Sequence, residues 1–236
     1  LYENAEKIIL CLSGFISAIG TVMLPKVSRM TRLKQMDAVR RHLRLSMELV
    51  MCMVCAMAFG LAAVAVNFAP LFYGDDFASS GTLMIPLSFT LLSIGFANVI
   101  RTQWVLPQSR DTIFVHSVLT GAVINLIANF VLIPPFGAMG AAAATVLAEF
   151  SVPAVQFVYL RKELPYAQYL KTTGVYCLFG LVMAGVVALL GRVLPLHGWG
   201  KLAVQVIGGA AVYGALCLTY WKLAKRGDIF RLMRRK

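Results

Sequence analysis

The sequence predicts an all-α, polytopic membrane protein with about seven transmembrane helices. Three observations carry this. Apolar residues make up 59% of the 236 and charged residues 14%, mean hydropathy is +0.78, and the apolar residues gather into long runs separated by Pro, Gly and basic residues. A water-soluble domain is nearer half apolar and a quarter charged. Crossing the hydrocarbon core takes about 20 apolar residues at about 1.5 Å of rise each, and the runs here have that length.

In order, the expected spans cover residues 5–24, 45–69, 82–104, 112–133, 139–160, 172–193 and 202–221. Turn-forming residues mark the connections: Pro70 and Gly74, Pro107, Pro134-Pro135-Phe136-Gly137, Pro165, and Pro195 to Gly200. The link between the fourth and fifth spans is so short that the two must form an antiparallel hairpin.

A net charge of +12 could point to nucleic acid, but its placement says otherwise. Nineteen of the 22 Lys and Arg residues fall in alternate connections, beginning with 26–44 and ending in the tail after Trp221. Arg101 and Arg110 are counted in the third-to-fourth connection. The opposite side holds only Lys7, Arg192 and Lys201, with Asp75 and Asp76. The positive-inside rule makes the basic side cytoplasmic. The charge is a topology signal with anionic headgroups as partners, and no nucleic-acid surface is expected. The N-terminus is then outside and the C-terminus inside. The chain begins with Leu1 and has no signal-peptide n-region, so it is expected to be the C-terminal part of a longer protein.

Catalytic and metal chemistry find little support. Cys11, Cys52, Cys55, Cys177 and Cys217 all lie in spans, and Cys52 and Cys55 form a lone C-x-x-C, which reads as small apolar packing. His42, His116 and His197 are scattered. Asp75-Asp76 reads as a solvated turn after Tyr73-Gly74. No cofactor is expected. Polar residues within spans carry more information, because each is expensive in hydrocarbon unless it faces protein or water. They are Glu6, Lys7, Asn98, Asn125, Asn129, Glu149 and Gln156. Asn125 and Asn129 share a helix face. Glu149 follows the small-residue run Gly140-Ala141-Ala142-Ala143-Ala144, which permits close helix approach.

Two stretches carry a family resemblance. The first is Tyr2-Glu3-Asn4-Ala5-Glu6-Lys7-Ile8, followed by Gly20-Thr21-Val22-Met23-Leu24-Pro25 and Ser28. The second is Asn125-x-x-x-Asn129, Leu132-Ile133-Pro134, Gly137-Ala138-Met139-Gly140-Ala141-Ala142, Ala144-Thr145 and Glu149. Together they resemble the second half of capsule and O-antigen repeat-unit flippases, in the multidrug/oligosaccharidyl-lipid/polysaccharide exporter superfamily. Lipid II flippases of that superfamily carry a similar acidic-then-basic pair where Glu6 and Lys7 stand.

The resemblance implies a fourteen-helix transporter of two lobes. Residues 1–165 would be the second lobe without its first helix, and 166–236 a terminal helix pair with a basic tail. The substrate would be an undecaprenyl-diphosphate-linked oligosaccharide, moved by alternating access across the bacterial cytoplasmic membrane. The missing N-terminal half and membrane lipids would be its other partners. Asn4, Glu6, Lys7, Asn125, Asn129 and Glu149 become substrate-binding candidates, Lys7 as the cation for the diphosphate. A non-enzymatic role suits the lack of a catalytic constellation. Alternative readings are a lipid II flippase, a drug or cation antiporter of the same superfamily, a structural membrane subunit, or a membrane-embedded polysaccharide-assembly enzyme. That enzyme would need a larger outer loop than the stretch from Pro70 to Gly81.

Overall fold

In a computed structural model of the chain, residues 1–193, Pro195 and residues 197–223 are described. The expected basic tail beyond Leu223 lies outside them. Every regular element among the described residues is helical: α1 (Tyr2–Arg32), α2 (Met36–Tyr73), α3 (Ala78–Ser88), α4 (Thr90–Ile100), α5 (Asp111–Leu160), α6 (Tyr166–Val193) and α7 (Gly198–Leu223). Six helical runs are long and apolar enough to cross a membrane. One is the composite Asp75–Gln108, in which α3, α4, a π turn (Arg101–Val105) and short 3₁₀ turns follow one another.

Seven crossings emerge because α5 folds back on itself. Its 50 residues would measure about 75 Å if straight, more than twice the hydrocarbon thickness. Gly137 interrupts it with φ 55° and ψ −131°, a backbone that L side chains rarely adopt. Beyond the break the two arms meet. Gly140 lies on the Leu132 carbonyl, Gly121 faces Val152, and His116 Nδ1 is 2.9 Å from the Tyr159 hydroxyl. This is the antiparallel hairpin that the Pro-Pro-Phe-Gly link predicts.

Several expected boundaries shift. α1 does not stop at Leu24 but continues through Pro25 to Arg32, and only Leu33 to Gln35 separate it from α2. The basic stretch 26–44 is therefore mostly helix reaching beyond the membrane, with Lys34 at φ 56° in the turn. A proline inside a helix removes one ladder bond, which water can replace where the helix leaves the bilayer. The outer connection is likewise tighter than expected. Pro70 lies within α2, the turn is made at Gly74 (φ 95°), and exposed Asp75 and Asp76 form a single 3₁₀ turn.

α2 is the hub, packed against α1, α3, α4, α6 and α7. Buried Glu48 of α2 links it to α6 and α7. It accepts a hydrogen bond from the Tyr176 hydroxyl (3.2 Å), which in turn accepts one from Trp221 Nε1 (2.8 Å). The C-x-x-C is not isolated, as its sequence context suggests. Cys52 Sγ lies 3.6 Å from Cys217 Sγ and Cys55 Sγ 3.7 Å from Cys177 Sγ, so each thiol packs on one from a neighbouring helix. On the outside, large apolar side chains such as Phe130 (74% exposed) and Phe136 (63%) point away from the protein. A lipid surround satisfies them, where water would leave an aggregation-prone patch.

Candidate functional site

α1 and α5 both pack on the α3–α4 span yet make few contacts with each other. Between them lies a cavity of about 530 Å³. Leu10, Ser13 and Ser17 of α1 face it at the three- and four-residue spacing of one helix side. Asn98 of α4 and Arg101 at the start of the π turn line one wall, Asn125 the first arm of α5, and Thr145, Glu149 and Gln156 the second arm. From Thr145 to Gln156 the second arm rises about 16 Å, which sets the depth of this lining.

Local chemistry explains the lining. Gly20 lets Asn98 and Thr102 come against α1, since a Cβ there would collide with the Asn98 amide. Ser93 donates to the Glu149 backbone oxygen, tying α4 to the second arm beside that carboxylate. Gln156 Nε2 reaches the Ala97 oxygen at 3.5 Å, and its Oε1 has no partner. Arg101 opens the π turn; its guanidinium carbon is 5.0 Å from the centre of the Phe114 ring, and its Nε makes no hydrogen bond. π turns inside α-helical runs recur at functional positions.

The structure gathers only some of the sequence candidates. Asn125 and Glu149 line the cavity. Asn129 sits one turn along and donates to Asn125 Oδ1 at 2.9 Å, so it braces Asn125 from outside the cavity lining. Asn4, Glu6 and Lys7 lie toward the N-terminal end of α1 and do not line it. Glu6 is nevertheless four residues before Leu10, on the stripe that continues into the cavity. The Asn4 backbone oxygen accepts from the Tyr73 hydroxyl (2.9 Å), and the Tyr2 hydroxyl contacts Thr145 Oγ1 at 2.7 Å, pinning this end of α1 to α2 and α5. Lys7 is exposed, and its ammonium pairs with Glu3 at 2.8 Å rather than with adjacent Glu6.

Two charged residues escape the sequence reading. Glu48 lies inside the second span, and its place there was the available signal. Arg101 falls inside the expected span 82–104, yet its charge counts with the connection that follows; the structure keeps it within the composite third span, three residues after Asn98 and on the same helix side.

Spans that enclose a cavity lined by an arginine, a carboxylate and amides define a polytopic membrane protein with a polar site among its helices. Residues 1–208 match the family described as lipid II flippase MurJ, and the chain belongs to that family. Among curated relatives it is 22% identical, over 93% of its length and 46% of the relative's, to a probable low-salt glycan biosynthesis flippase, Agl15, of Haloferax volcanii. It is 21% identical over 59% of its length to a candidate O-antigen transporter of Shigella dysenteriae, covering 34% of that protein. The fold is that of a solved lipid II flippase MurJ in an inward closed conformation, with a TM-score of 0.79 and 18% identity, covering 94% of this chain and 46% of that one. The chain thus spans half or less of the length of the relatives it matches, and those relatives are named as flippases or transporters.

Proposed function

We propose that this chain supplies part of the translocation path of a flippase for undecaprenyl-diphosphate-linked oligosaccharide repeat units in the bacterial cytoplasmic membrane, working by alternating access. The observation that supports this most is the charged and amide-lined cavity inside an otherwise apolar set of helices, in a chain of this family. A diphosphate and its hydrated sugars need polar contacts away from lipid, while the polyprenyl tail can stay in the bilayer. Asn125 and Glu149 offer an amide and a carboxylate for sugar hydroxyls, and Asn129 holds the Asn125 amide in one orientation. Asn4, Glu6 and Lys7 form the outer part of the path, where Lys7 would exchange Glu3 for a phosphate oxygen. In this reading residues 1–165 act as a lobe, and 166–236 as a basic tail following a helix pair, α6 and α7, that packs on α2. The remainder of the path comes from an N-terminal half of the same protein.

Lipid II is a second substrate reading, favoured by the family match itself. One experiment separates them. The gene's full product is expressed in a strain lacking its O-antigen repeat-unit flippase and in a strain depleted of its lipid II flippase. Restored surface polysaccharide in the first strain supports the proposal. Rescue of growth in the second strain alone would replace the proposed substrate with lipid II, and rescue of neither would overturn the flippase reading.

A further inference from the structure

We propose that Arg101 is the phosphate-binding residue of the cavity and receives the substrate diphosphate at its cytoplasmic end. This rests on the flippase reading and names the group at which the anionic part of the substrate docks.

Four observations lead there. Arg101 belongs to the cavity wall, beside Asn98 and facing Phe114 of α5. The Phe114 ring holds the guanidinium at 5.0 Å in a cation–π arrangement, which orients the plane without using the N–H donors at its edge. The Nε of that edge has no hydrogen-bond partner. Arg101 also makes no ion pair among the described residues. The cavity's own carboxylate, Glu149, stands ten residues before Tyr159, the partner of His116 at this end of the hairpin, which is about 15 Å of helix rise away.

A half-buried guanidinium without a counter-charge is costly, and the cost falls when an anion arrives. A diphosphate suits it better than a single carboxylate would, because the planar fork can bind two phosphate oxygens at once. Depth adds a second argument. Gly20 of α1 packs at the level of Asn98 and Thr102, and Lys7 is thirteen residues, about 20 Å, further along the same helix. With the basic side cytoplasmic, Arg101 marks the end at which substrate arrives and Lys7 the end at which it leaves. The two cations therefore act at different stages of one passage.

The test uses the purified full-length protein and native mass spectrometry with three lipids: undecaprenyl diphosphate, undecaprenol and phosphatidylglycerol. Wild type should prefer undecaprenyl diphosphate to both others. Arg101→Gln should weaken undecaprenyl diphosphate binding by about tenfold or more, the loss of one charge-assisted contact, and leave undecaprenol unchanged. Arg101→Lys keeps the charge but loses the fork, and its affinity should fall between the two. Bound undecaprenyl diphosphate should also shield Arg101 of the wild-type protein from a guanidine-specific dicarbonyl reagent, a readout that needs no variant to fold. Wild-type affinity in Arg101→Gln, or no shielding, overturns the assignment and leaves the flippase reading standing. Equal binding of phosphatidylglycerol would make Arg101 a headgroup anchor instead. A wild-type protein that cannot tell undecaprenyl diphosphate from undecaprenol removes the flippase reading and this inference with it.

Discussion

Gly140 has no room for a side chain, because its Cβ direction runs into the backbone of Leu132 across the hairpin. Backbone cannot rotate aside as a flexible side chain can, so Gly140→Ala must open the turn that Gly137 makes. The expected loss is about 1–3 kcal/mol, the range for overpacking, seen as a lower unfolding temperature in detergent and lower membrane abundance. An unchanged variant would mean that the two arms separate freely. Lys7 is a different case, since its substitution should spare the fold. It is exposed and, among the described residues, pairs with Glu3 one turn away, a contact screened by solvent. If Lys7 contacts phosphate in the outer half of the path, Lys7→Ala in the full-length protein abolishes surface polysaccharide at unchanged transporter abundance, and Lys7→Arg keeps much of it. Wild-type export from Lys7→Ala would reduce the lysine to an interfacial anchor.

At the scale of elements, a clasp closes the basic end of the helix pair formed by the Asp75–Gln108 span and α5. Glu163, in the connection to α6, accepts hydrogen bonds from Arg110 at 2.6 Å and from Trp104 Nε1 at 3.2 Å, while Arg40 of α2 lies over the Trp104 ring. The Arg110 guanidinium, helped by the indole, holds the Glu163 carboxyl below its usual range. A depressed carboxyl stabilises the fold fully above its unfolded pKa, about 4.3. That stabilisation disappears as pH falls through the lower folded value. The pair is partly exposed, so its share is that of a surface ion pair, at most about 1 kcal/mol. Melting temperatures taken in detergent between pH 7 and about pH 3 should fall less steeply for Glu163→Gln than for wild type. Parallel curves would show that the clasp carries no pH dependence. The elements themselves were legible in the sequence to differing degrees. The hairpin was, because Pro134-Pro135-Phe136-Gly137 leaves no other way for two spans to connect. The ends of α1 and α2 were not, because bilayer thickness limits an apolar run but places no limit on a helix that continues into water. Arg101 was hidden for a related reason: at the edge of a span a basic residue reads as a topology signal, and only the packing of α5 turns it toward a cavity.

For the whole molecule, the distribution of charge and the distribution of structure make one joint statement about orientation. The helical extensions that carry Lys26, Arg29, Arg32, Arg40, Arg41 and Arg44, the Arg110–Glu163 clasp and the last turn of α7 with Lys222 belong to one end of the spans. The Gly74 turn with Asp75 and Asp76 and the Gly137 turn of the hairpin belong to the other. Each crossing reverses direction, so fixing one connection fixes all the rest. Basic residues resist transfer across the membrane far more than acidic ones orient it, which puts the first end in the cytoplasm. Ser79 is exposed just beyond the acidic turn, and Ser28 lies on the basic extension of α1. With the native cysteines replaced, Ser79→Cys in intact cells should react with a membrane-impermeant maleimide, and Ser28→Cys should react only after the membrane is opened. Both sites are helical and outside the buried core, so a difference between them reports the side of the membrane rather than burial in the protein. The opposite pattern would invert every crossing. It would place Arg101 at the outer leaflet and Lys7 at the inner one, and it would reverse the order in which a diphosphate meets the two cations.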